Sequence, residues 1–176
     1  MSKARIAVLL GSVLVLLVLA AVPAHAQGGT LATRLRAFDE VPALSTGGGG
    51  RFDATISADG STITYELRYF NLRGTITQSH LHLGQKGVNG GIMIFLCSNL
   101  GNGPAGTQVC PVGNGSISGT IHASDVIGGA SSQGLTPGDL NAVLRAIRFG
   151  VVYANVHTTT FPGGEIRGQV LFTPTP

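Results

Sequence analysis

The chain has 176 residues, 43% of them hydrophobic and 11% charged, a length that suits one domain and a composition that excludes an intrinsically disordered chain. The formal net charge is +3. Without Lys3 and Arg5 at the extreme N-terminus, nine basic residues stand against eight acids and form no run on which a phosphate footprint could be built, so the sequence excludes nucleic acid as a partner.

Lys3 and Arg5 precede an apolar run over 6–22, and Ala24 and Ala26 flank His25 just after it. This is the layout of a secretory signal peptide cleaved after Ala26; an uncleaved anchor helix is the alternative. The expectation is a signal over 1–26 and a single domain over 27–176. The protein would be secreted, periplasmic or at the cell surface, with no membrane span once the signal is removed.

Downstream, apolar and polar residues alternate with the period of a strand. The pattern predicts strands at about 31–38, 51–56, 63–69, 75–83, 91–97, 116–123, 150–157 and 165–173, with Asp59-Gly60 as a tight hairpin turn. Glycine, at 27 residues and without a Gly-X-Y period, marks turns and close backbone approaches. One segment breaks the alternation. Thr136 as N-cap, Pro137 at the first helical position and a stripe of Leu140, Val143, Leu144 and Ile147 predict a helix over about 137–148. The expected fold is an antiparallel β-sandwich or barrel of about eight strands with one short helix.

Two cysteines, Cys97 and Cys110, are the only ones in the chain. In an exported protein such a pair forms a disulfide, stabilising the fold by about 3 kcal/mol for a loop of this length. The literal Gly-x-Gly-x-x-Gly at Gly101, Gly103 and Gly106 contains Pro104 and opens no helix, so it is not a dinucleotide site. No Gly-x-Ser-x-Gly elbow is present.

The residues that could carry chemistry are histidines. His80 and His82 are two apart on a strand and share one face, with Leu81 and Leu83 on the other. If the last two strands form a hairpin, His157 falls opposite Glu165 and shares a polar face with Asn155 and Arg167. Three imidazoles beside a carboxylate can bind zinc or copper, and Arg167 can orient an anionic ligand or pair with Glu165. The same pattern also suits a polar ladder that only fixes register. His122, beside Ser118 and Thr120, is expected to be solvated.

Several blocks resemble one family: Glu40-Val41-Pro42, His80-Leu81-His82, Asn89-Gly90, the segment 152–158 (VYANVHT) and the segment 162–169 (PGGEIRGQ). Together they resemble the chordin-type (CHRD) domain over about residues 31–172. Ala43 stands where a second proline is common, and Leu81 where isoleucine is usual between the histidines. The resemblance implies a β-rich extracellular module and supplies no reaction: in chordin such modules belong to a secreted antagonist of bone morphogenetic proteins. The expected partner is an extracytoplasmic protein or surface ligand, with Asn155, Glu165 and Arg167, on the polar face given by the alternation, as binding residues and no catalytic residue. A looser similarity is to copper/zinc superoxide dismutases, which also set a His-x-His on a strand and carry an intramolecular disulfide. Four histidines cannot build their dinuclear centre, but a mononuclear copper or zinc site at His80, His82 and His157 is possible in number.

Overall fold

A computed structural model describes residues 28–175; the predicted signal segment lies outside them. Nine antiparallel strands are seen among these residues: β1 (Gly29–Arg36), β2 (Gly49–Ile56), β3 (Ile63–Phe70), β4 (Ile76–Leu83), β5 (Gly91–Ser98), β6 (Gly115–Ile121), β7 (Val152–Thr158), β8 (Ile166–Gln169) and β9 (Leu171–Pro174). They form one sheet in the order β5-β4-β7-β8-β1-β2-β3-β6, with β9 also paired to β1. Alternation drives this arrangement. In β2, Phe52, Ala54 and Ile56 are buried while Arg51 and Thr55 are exposed, and in β3 Ile63, Tyr65, Leu67 and Tyr69 are buried in the same way. The inward rows meet as a single hydrophobic core.

The sheet curls until its edge strands β5 and β6 nearly meet, giving an almost closed barrel. Side chains bridge the seam. The Tyr65 hydroxyl donates to Leu96 O at 3.0 Å, and Gln108 Nε2 lies 3.2 Å from Leu96 O and 3.3 Å from Ser118 O. The loop carrying Gln108 is tethered by the Cys97–Cys110 disulfide, as the cysteine count predicts.

Two details differ from the expected elements. The helix α1 spans Leu140–Arg148 and is capped by Asp139, whose side chain accepts from Ala142 N at 2.8 Å. Thr136 is not its cap, because Gly138 has φ 83°, a left-handed conformation that breaks the helical path between the two. The predicted stripe Leu140, Val143, Leu144 and Ile147 is the face that packs on the core. The last predicted strand is two: Val170 donates its N–H to Val152 O at 2.9 Å, after which β9 pairs with β1.

Candidate functional site

The site is built on the outward face of one wall of the barrel, over β4, β7 and β8. Register places His80 opposite Asn155, His82 opposite Tyr153, and Asn155 opposite Arg167. An outward face of a barrel is normally wet, yet all seven residues of β7 are buried. Loops 84–90 and 160–164, the segment following β1 and the ring of Phe95 contribute to this cover. Two register shifts of β4 against β5, at Ser79/His80 and Leu81/His82, bend the strand where the histidines sit.

The three histidines expected to meet do so. His80 is fully buried and His82 and His157 nearly so, and one ring nitrogen from each lies within 4.8 Å of the others. His80 Nδ1 stands 3.2 Å from His157 Nε2, at hydrogen-bond distance. The His82 ring stacks on Tyr153 (centroids 4.7 Å apart, 3° between planes), and His80 meets Phe95 edge-on at 4.3 Å.

Hydrogen bonds determine where the ring protons are. His82 Nδ1 is 3.0 Å from Gly90 O and His157 Nδ1 is 2.9 Å from Pro162 O. A carbonyl only accepts, so both Nδ1 atoms carry hydrogen and both Nε2 atoms present a lone pair. His80 Nδ1 must then donate to His157 Nε2, which leaves the lone pair of His80 Nε2 free. His80 Nε2 and His82 Nε2 are both buried without a hydrogen-bond partner. Burial also holds all three imidazoles neutral: desolvation lowers the pKa of His80 to about 2 and of His82 to about 4, and lowers that of His157.

Beside His82 lies a polar cleft of about 220 Å³, lined also by Glu40, Asn89, Tyr153, Asn155 and Arg167. Asn155 donates through Nδ2 to Glu40 Oε1 and to Ile166 O. Desolvation raises the Glu40 carboxyl to about 7, against the opposing pull of the Val41 N–H, Arg167 and Asn155. Arg167 lies flat over Tyr153, 3.4 Å from guanidinium carbon to ring centroid, and donates to Asn89 Oδ1 at 2.7 Å and to Val88 O.

Glu165 stands apart from this group. Its carboxylate accepts from Arg73 N at 2.6 Å, Gly74 N at 3.4 Å, Thr158 Oγ1 at 2.8 Å and Thr46 Oγ1 at 3.3 Å. No hydrogen bond or ion pair among the described residues joins it to Arg167 or the imidazoles. It precedes β8 and follows Gly164, whose φ of 127° turns the chain there, so the alternation expected of a continuous strand does not extend to it. The carboxyl that lines the cleft is that of Glu40. Nothing in the sequence marks Glu40 as a site residue: its partner Asn155 is 115 residues away, and no local pattern links the two. His122 is exposed, as expected.

A family model for the CHRD domain matches residues 31–170. The chain belongs to the CHRD domain family. The match spans β1 through β8, and so contains every residue of the triad and its cleft. No curated protein and no solved structure matches the chain. Among the described residues, no helix of this CHRD protein is long and apolar enough to cross a membrane.

Proposed function

We propose that this protein is an exported CHRD module that binds one zinc or copper ion through His80, His82 and His157. The observation that carries the reading is the pair of buried, unpartnered lone pairs on His80 Nε2 and His82 Nε2. A register-fixing ladder would satisfy its polar atoms internally; this one leaves acceptors open beside a third imidazole. The carbonyls of Gly90 and Pro162 orient His82 and His157 through the opposite ring nitrogen, the usual support for a ligating histidine. Neutral imidazole is the form that ligates, so no imidazolium has to lose a proton at neutral pH, and the hydrogen bond from His80 Nδ1 would give way when His157 Nε2 ligates. Zinc and copper both suit three nitrogen donors.

In this reading the metal would be a Lewis acid, and the chain's own groups order what reaches it. Tyr153 and Phe95 hold two of the rings, while Asn155 and the carboxyl of Glu40 offer hydrogen bonds at the wall of the cleft. Arg167 supplies a fixed positive charge there, which favours an anionic ligand, and the module needs no catalytic residue to act as a binding protein. The disulfide suits an oxidising compartment, and cleavage after Ala26 would leave residues 27–176 as the mature domain.

The test is metal content by mass spectrometry on protein purified from the extracytoplasmic fraction, with N-terminal sequencing of the same sample. Near-stoichiometric zinc or copper is expected, on a chain beginning at Gln27. His82→Ala and His157→Ala should weaken metal binding by at least about ten-fold. Metal retained at full occupancy by both variants would overturn the assignment of ligands. Protein that stays metal-free after zinc and copper titration would overturn the metal reading and leave a module for a protein or surface partner.

A further inference from the structure

A second concavity lies on the other side of Arg167, about 470 Å³ in volume, within the usual range for small-molecule sites. Among the basic residues, Arg51 pairs with Asp53, Arg68 with Glu66, and Arg145 with Asp139. Four of the others, Arg34, Arg36, Lys86 and Arg167, line this one cleft, with Asp39 as its sole acid.

Their placement is a consequence of the sheet. Arg34 and Arg36 are two apart on β1 and point to the same side, and Arg36 is the register partner of Arg167 on β8. Lys86 arrives from the loop after β4. Like charges facing each other across strands repel, so bringing four together is unfavourable unless an anion joins them. Arg167 sharpens the point. It is only 2% exposed, its recorded hydrogen bonds go to the neutral oxygens of Asn89 and Val88, and it makes no ion pair among the described residues. Glu40 acts on it only through space, with a carboxyl raised to about 7 and so only partly ionised at neutral pH, which leaves the buried charge incompletely balanced.

The number and type of donors select the ligand. A carboxylate offers two oxygens and one negative charge. A phosphate monoester offers three terminal oxygens and a charge of about −1.5 to −2 at neutral pH, enough to bridge guanidinium groups from two strands and an ammonium from a loop. The exposed Leu171 at the rim gives an apolar surface for the remainder of the molecule. We propose that this cleft binds a small organic phosphate monoester, with Arg34, Arg36 and Lys86 around the phosphate and Arg167 as its floor. The site shares Arg167 with the cleft beside His82 but is lined by none of the three histidines and does not require the metal.

The experiment is calorimetric titration of the intact protein at low ionic strength with glucose 6-phosphate, inorganic phosphate and glucose. Saturable one-to-one binding of glucose 6-phosphate, competed by inorganic phosphate and absent for glucose, is expected. Arg34→Gln/Arg36→Gln, both at exposed positions, should weaken it by at least about ten-fold without unfolding the barrel. Binding should persist after chelator treatment. No saturable binding of either phosphate, equal binding of glucose, or unchanged affinity in the double variant would overturn the proposal. So would loss of binding on metal removal, which would place the phosphate on the metal and leave the metal reading standing.

Discussion

His80 and His82 share one strand face, and burial moves both away from an ordinary histidine, to about 2 and about 4. In the unfolded chain each titrates near 6.5. A base whose folded pKa is lowered adds stability that is fully present above 6.5 and is lost as pH falls toward the folded value. Glu40 works in the opposite direction. Its carboxyl is raised from 4.5 to about 7, so its contribution is present below 4.5 and lost as pH rises through 7. The three lowered histidines outnumber the one raised acid, and metal-free protein should lose stability between pH 7 and pH 5. Glu40→Gln keeps an acceptor for Asn155 and removes the opposing titration. It should therefore gain as much as ~3 kcal/mol relative to the parent at pH 8 and show a steeper loss on acidification. Urea unfolding at pH 5 and pH 8 checks both signs, and a variant less stable than the parent at pH 8 would contradict the account of Glu40.

At the scale of elements, the loop between β4 and β5 orients the site. Gly90 supplies the carbonyl for His82 and also meets the Tyr153 hydroxyl through its N–H at 3.1 Å. Only glycine fits there: a β-carbon would lie 1.6 Å from Leu83 O. Asn89, the preceding residue, accepts from Arg167 and donates to Val41 O. One turn thus ties a triad histidine, the buried arginine and the segment after β1 together. Gly90→Ala should displace the loop, lower stability by about 1–3 kcal/mol, as overpacking does, and weaken metal binding, because His82 loses the acceptor that sets its tautomer. Unaltered metal affinity in that variant would show that the carbonyl has no part in orienting the ligand.

For the molecule as a whole, the barrel is an open sheet whose edges are bridged by side chains and a tethered loop. The Cys97–Cys110 bond holds that loop beside β5, while the triad sits on β4 and β7, so the two should separate experimentally. Cys97→Ser/Cys110→Ser should lower unfolding stability by about 3 kcal/mol, the loop-closure contribution, with metal content unchanged. A variant that keeps its stability but loses metal would mean that the seam controls the site.

The sequence by itself determined the strands, the disulfide, the apolar face of the helix and the three histidines that come together, because each rests on local periodicity or on a residue type too scarce to have alternatives. It missed the start of α1, where the left-handed backbone at Gly138 overrides the pattern, and the division of the last strand, where the pairing partner changes from β7 to β1 after Val170. Only the tertiary structure decided the rest. Glu165 is engaged by the chain before β4 and Glu40 takes the place beside Asn155; four cations with no run in sequence converge on one cleft. These outcomes depend on which strands become neighbours and which loops fold over them. Such contacts span about 50 to over 100 positions, and no short-range signal along the chain encodes them.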